Sequence, residues 1–314
     1  MIEHRLAKAA AVSAFFLLII GGLVNATGSS LACNDSIITC NNHEIWVDLV
    51  GGVLYEHGHR LFAMYVGLFQ VALTIAIFVR RRDLRRLAVL LSTMIFVQAA
   101  FGATTVHYKL LWWVSTGHLL LGMSYFAMLV YAVFRTRPLP TAFDITRHEA
   151  QRADLGSTRT WIGVACVMVF VQILLGGLVR HLGAALVCIG MPKCMDAGSW
   201  IPDAAIQQLH MLHRAFGLAV AVVTTIAAIK VFRRTKSWPQ LRGLVAFAPV
   251  LVAGQVTLGV FTVLTQRAVP LAVAHFAGGA SLWAVWMYAW LMTGGPKSEH
   301  DDTAIATAVP GASS

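Results

Sequence analysis

The sequence predicts an all-α integral membrane protein with eight transmembrane helices, built as two homologous four-helix bundles with the N- and C-termini in the cytoplasm. Three observations carry this expectation. Of the 314 residues, 58% are hydrophobic and only 12% charged, with a mean hydropathy of +0.71, whereas soluble domains charge about a quarter of their residues. Eight stretches reach the length of about 20 apolar residues that a bilayer crossing requires. The chain also aligns with itself, so that its second half repeats the first.

The spans fall near 8–27, 53–79, 87–106, 111–134, 160–181, 205–232, 243–266 and 271–293. The first follows a basic start, MIEHRLAK, of the kind that opens a signal peptide. Its apolar run is long and no A-x-A-like site ends it, so it reads as a retained span. Seventeen Lys and Arg fall on one side of the membrane, at the N-terminus, in RRRDLRR (80–86), between 135 and 159, after span six and in the tail. The other side holds Lys109, Arg180, Lys193 and Arg267. The positive-inside rule then puts both termini in the cytoplasm and the loops 27–52 and 182–204 outside. It also accounts for the net charge of +10 as topology, which excludes a nucleic-acid surface.

The repeat has an offset of about 155 residues. GGLVNATGSSLAC (21–33) pairs with GGLVRHLGAALVC (176–188), EHGHR (56–60) with HMLHR (210–214), QAAFGATTV (98–106) with QVTLGVFTV (255–263), and His118 with His275. Two four-helix units in parallel orientation result, 1–134 and 160–293, joined by a cytoplasmic linker at 135–159 and followed by a flexible cytoplasmic tail at 294–314. Four of the five cysteines occupy the two external loops. In an oxidising compartment they predict the short-loop disulfides Cys33–Cys40 and Cys188–Cys194. Their spacing fits no common zinc pattern. A structural role for both bridges and thiol–disulfide exchange at the N-terminal one remain open. Cys166, alone in span five, reads as a small core residue.

Ionisable groups inside a span are costly and call for a partner. His59, His118, His213 and His275 lie at repeat-related positions, roughly 6–12 Å below the outer interface at the helical rise per residue. A pair of imidazoles on facing helices, without thiolates and with few carboxylates, suits the two axial positions of a haem iron. Zinc or copper would want three or four converging ligands. Two haem sites are therefore expected, His59 with His118 and His213 with His275. Glu56 stands one turn before His59 on the same face, where the second half has His210. It is either a salt-bridge partner of a nearby Arg or a group that exchanges protons beside a reacting haem. Arg60 and Arg214, each next to a proposed ligand, have haem propionates as natural anionic partners, with interhelical pairing as the alternative. His57 faces away from His59 on its helix. Gln98 and Gln255, each four residues before a glycine, read as interhelical hydrogen-bonding positions.

Taken together, ExxHR, a later span His, a repeat with HxxHR and another span His, and a Cys pair in the first external loop resemble the haem A synthase family over nearly the whole chain. The resemblance implies a cell-membrane oxidoreductase of a bacterium that converts the C8 methyl of haem O to the formyl group of haem A by successive hydroxylations and loss of water. It implies that His213 and His275 hold a resident haem b, and that His59 and His118 bind the substrate haem with Glu56 beside the porphyrin. A haem O synthase is the implied donor of that substrate. The electron acceptor is unidentified, and the oligomeric state stays open between a monomer and a homo-oligomer. A dihaem b-type cytochrome exchanging electrons with quinol is the alternative; such carriers commonly stack their haems at two depths, whereas these histidines share one. A transporter built on the repeat has only Gln98, Gln172 and Gln255 in its favour.

Overall fold

The computed structural model describes residues 2–33, 39–40, 47–137, 151, 155–195 and 200–294. Most of the 135–159 linker and nearly all of the 294–314 tail lie outside these residues. The helices are α1 (Ile2–Ala26), α2 (Gly51–Arg80), α3 (Arg85–His107), α4 (Trp112–Arg135), α5 (Thr158–His181), α6 (Ala205–Arg234), α7 (Pro239–Ala246), α8 (Ala248–Leu264) and α9 (Val269–Met292). Among the described residues, eight segments are long and apolar enough to cross a membrane, with α7 and α8 together forming the seventh, Pro239–Leu264. That crossing is interrupted at Phe247, two residues before Pro249, which has no N–H to continue the helical ladder. Leu68, Phe96, Val167 and Val250 lie exposed on the outer surface, an arrangement that lipid accepts and water does not.

Several helices run past their apolar stretches. α1 begins at Ile2, not residue 8, and α6 ends at Arg234, not residue 232. The flanking Glu, Arg and Lys residues are good helix formers that the bilayer excludes but the helix does not.

The packing closes two rings. α1 packs on α2 and α4, and α3 joins α2 to α4; α5 packs on α6 and α9, and α8 joins α6 to α9. Between the rings, α1 meets α9, α4 meets α5, and α4 meets α9. The internal repeat makes α1 the counterpart of α5 and α4 the counterpart of α9, so these contacts are related by a pseudo-twofold axis. A Cβ at Gly22 of α1 would lie 2.9 Å from Phe276 of α9, and one at Gly177 of α5 would lie 2.8 Å from Leu119 of α4. Both glycines and both partners are repeat equivalents, so the seam is one contact made twice.

The duplication extends to the backbone. Gly28 after α1 and Gly183 after α5 have φ of 70° and 72°, the left-handed conformation that closes a helix C-terminus. The α3–α4 turn has Lys109 and Leu110 at positive φ, and the α8–α9 turn has Gln266 and Arg267 there. Each turn is held by the same bonds: Leu110 N–H donates to Thr105 carbonyl at 2.8 Å, and Arg267 N–H to Thr262 carbonyl at 2.7 Å. Cys166 is buried with a free thiol, as a core residue should be, and Lys230 lies 4.1 Å from the centre of the Trp161 ring.

Nothing lies within 4 Å of a Cβ built on Gly28 or Gly183, so only backbone strain opposes a side chain there. Gly28→Ala and Gly183→Ala are each expected to destabilise the protein by about 1–2 kcal/mol, read as a lower thermal midpoint in detergent.

Candidate functional site

The four histidines occupy the same place in four helix pairs. Each stands on the second helix of a pair and faces a glycine on the first. A Cβ at Gly21 would lie 3.1 Å from Cε1 of His59, at Gly102 3.0 Å from His118, at Gly176 3.1 Å from His213, and at Gly259 3.1 Å from His275. Any side chain at these glycines would displace the imidazole. The doubled glycine of the two GGLV segments therefore has two duties: Gly21 and Gly176 seat histidines, while Gly22 and Gly177 form the seam between halves.

Three of the histidines are also held by a glutamine one turn before the seating glycine. Gln98 Nε2 donates to the His118 carbonyl at 3.0 Å, Gln172 Nε2 to the His213 carbonyl at 3.1 Å, and Gln255 Nε2 to the His275 carbonyl at 2.8 Å. The Gln172 amide also lies 3.1 Å from Nδ1 of His213. His275 donates from Nδ1 to the Gln255 backbone carbonyl at 3.1 Å, which leaves its other nitrogen unprotonated and available as an acceptor. The sequence reading of Gln98 and Gln255 as interhelical hydrogen-bonding residues is the observed arrangement. What it missed is that the glutamines grip the histidine helices at the histidines themselves, with Gln172 as the third member. The signal was available as Q-x-x-x-G repeated in three spans.

All four histidines are half-buried within apolar helices, and Nδ1 of His59 and of His118 is buried without a hydrogen-bond partner. His59 and His118 lie within electrostatic reach of each other, as do His213 and His275. Two neutral nitrogen donors per half, seated on backbone and without a carboxylate or thiolate at the ligand positions, form a donor set that fits the axial positions of a haem.

Above His59 the structure builds a polar clasp. Glu56 Oε2 accepts the Cys33 N–H at 2.8 Å, and Oε1 accepts Arg60 Nη2 at 2.6 Å. Arg60 also donates to the carbonyls of Thr39 and Cys33, at 3.1 and 3.2 Å. Cys33 and Cys40 are joined, as are Cys188 and Cys194. Arg214 repeats the clasp in the second half, donating to the carbonyls of Gly190 at 2.8 Å, Lys193 and Cys188. Both arginines thus bind the disulfide loops to the histidine helices. Arg214 Nε stays buried without a partner, a donor still open to an anion. His57 is buried against the first disulfide, its ring nitrogen within 4.8 Å of both sulfurs. The sulfurs are bonded to each other there, so the trio is not a metal site in this state.

The halves differ in chemistry. Glu56 faces its loop where the second half has the buried His210. In the first half, Tyr125 donates to Gln70 at 2.9 Å, Gln70 to Thr74 at 3.0 Å, and Thr74 meets Ser92 at 2.9 Å. The repeat places Leu282, Thr224 and Ala228 at the first three of these positions. Three further residues join the halves by hydrogen bonds: Arg180 donates to the Gly22 carbonyl at 3.1 Å, Arg267 to the Asn25 carbonyl at 3.4 Å, and His181 Nδ1 lies 3.0 Å from Thr116 Oγ1.

The model of a family described as COX15-CtaA, cytochrome oxidase assembly protein, matches residues 50–287. The chain belongs to this family. All four seated histidines and both clasping arginines fall within the match. Similar proteins include the haem A synthase of Shouchella clausii, 28% identical over 274 residues that make up 84% of this chain and 87% of the relative. Those of Geobacillus kaustophilus and Bacillus licheniformis are 27% and 25% identical, over 291 and 289 residues, and the matches take in about nine-tenths of each chain. A COX15-CtaA chain with eight crossings is a multi-pass membrane protein.

The seating contact gives a direct test. Gly176→Ala should push His213 out of position; overpacking of this kind costs about 1–3 kcal/mol, enough to lower haem retention roughly tenfold. The haem-to-protein ratio of the purified variant measures this, with Gly243→Ala, where a Cβ meets nothing, as the control.

Proposed function

We propose that this chain is a haem A synthase, an oxidoreductase that converts haem O to haem A. The observation that carries the reading is the pair of histidine sites that match in their glycine seats but differ in chemistry, one with Glu56 a turn from its histidine, the other with His210. A simple dihaem carrier has no use for that difference.

In this reading the N-terminal half, 1–134, takes haem O between His59 and His118, and the C-terminal half, 160–293, holds haem b between His213 and His275. The bound haem b supplies one-electron redox chemistry. With water as the oxygen source, conversion of the C8 methyl to a formyl group, by successive hydroxylations and loss of water, releases electrons and protons in equal number. Glu56, one turn above His59, is the carboxylate placed to take those protons, and Arg60 holds it in orientation. Arg214 Nε is an open donor suited to a propionate. α4 carries His118, α9 carries His275, and the two helices touch, so the two sites share a wall of about one interhelical spacing, ~8–10 Å. That closeness suits electron transfer from the reacting site to the resident one. The disulfide loops lie on the periplasmic side by the positive-inside rule. Haem O comes from a haem O synthase, and the electrons leave to a separate acceptor.

Expression in cells that make haem O, with mass spectrometry of the extracted haems, should show hydroxylated and formyl products. Folded, haem-bearing protein without either product would defeat the reading and leave the dihaem cytochrome. Glu56→Gln should retain haem while product formation falls by two or more orders of magnitude, the usual range for an acid–base group; normal turnover would make Glu56 structural. His213→Ala and His275→Ala should each abolish the resident haem b spectrum, and an unchanged spectrum would reverse the assignment of halves.

A further inference from the structure

The four histidine seats are copies of one unit, but one copy lacks its lock. In three units a glutamine one turn before the seating glycine reaches the helix that carries the histidine. There it lies over a second glycine, four residues after the histidine. A Cβ at Gly122 would lie 2.9 Å from Gln98 Nε2, one at Gly217 2.9 Å from Gln172 Nε2, and one at Gly279 3.2 Å from Gln255 Nε2. The contact thus needs both members, the amide and the bare backbone opposite. In the first unit, Leu17 stands one turn before Gly21 and Ala63 stands four residues after His59. Both members have changed together. His59 receives no glutamine; its Nδ1, like that of His118, is buried with no hydrogen-bond partner, so the missing glutamine is what sets it apart. The contact reaches the rings as well: Gln172 Nε2 lies 3.1 Å from Nδ1 of His213 and Gln98 Nε2 3.5 Å from Nε2 of His118, while the His275 ring is held by the Gln255 backbone carbonyl.

We propose that Gln98, Gln172 and Gln255 are positioning residues that fix His118, His213 and His275, and that the Leu17–Ala63 pair leaves His59 as the one imidazole free to move off and back onto its ligand position. The inference rests on the reading of the N-terminal half as the substrate haem site. A haem iron with two fixed imidazoles has no open coordination position. A substrate site must admit haem O, release haem A and expose one face of the macrocycle, and a histidine seated only on glycine permits all three. A resident redox haem needs the reverse, and both of its histidines carry the glutamine.

The test is Leu17→Gln combined with Ala63→Gly, which installs the missing lock. In full-length protein with ring-labelled histidine, NMR should find the His59 ring less ordered than those of His118, His213 and His275, and raised to their level by the double substitution. Leu17→Gln alone should give less order, because the Ala63 methyl occupies the space the amide needs. With haem O loaded and reduced, the N-terminal site should bind carbon monoxide, and the double variant should bind it roughly fivefold more weakly, the ratio one net hydrogen bond supports. Gln172→Leu with Gly217→Ala should do the opposite, loosening His213 and making the resident haem reactive to carbon monoxide. Equal ring order at all four histidines in the natural chain would overturn the proposal whatever haem is bound. A mobile His59 in a chain that takes up no haem O would instead defeat the functional reading and leave the lock intact as a fact of the fold.

Discussion

An imidazole pressed against the bare backbone of a neighbouring helix is the contact around which this protein is arranged. Within a bilayer, helices gain little by burying apolar side chains against one another, since lipid offers the same contact. Close approach at small residues and a few interhelical hydrogen bonds must decide the packing. Gly21, Gly102, Gly176 and Gly259 supply the approach, and the histidines opposite them are both packing residues and candidate ligands. Fold and site are therefore specified by the same four contacts. The linkage crosses the seam too: Gly22, next to the seat of His59, receives Phe276, the neighbour of His275, while Gly177, next to the seat of His213, receives Leu119, the neighbour of His118.

The arginines extend this frame outward. Arg60 and Arg214 follow their histidines in sequence and tie the disulfide loops to them by backbone carbonyls, Cys33 in one half and Cys188 in the other. The disulfides held in this way, with all four cysteines buried, form a roof at the outer ends of the helices that carry His59 and His213. In the first half the roof also engages Glu56, so that the carboxylate nearest His59 is itself bound to the Cys33 amide. Any change in that disulfide would be felt one helical turn away from a candidate ligand.

Much of this was legible in the sequence because membrane spans announce themselves by length and duplication by register. The eight crossings, the repeat, the four histidines and both disulfides follow from residue types and offsets alone. The partners of Arg60 and Arg214 did not, because a guanidinium beside a proposed ligand points as readily to a propionate as to a loop carbonyl. Glu56 was open between ion pair and proton carrier; the structure gives it the Arg60 pair, which is compatible with either role. The glutamine lock was half visible. Gln98 and Gln255 stood out as polar groups in apolar helices, but the glycines that admit them lie on other helices, and sequence spacing does not show what faces what.

The pseudo-twofold seam carries a historical consequence. The contacts α1 to α9 and α5 to α4, with α4 against α9 on the axis, are those of an isologous dimer, and one half of the chain, unfused, would present the same surface to its own copy. In such a dimer every change falls on both sites at once. Fusion removed that restriction, so that Leu17 and Ala63 in one half could depart from the pattern that Gln172 and Gly217 keep in the other. Two sites held to one set of constraints in such a dimer are then free to serve separate ends.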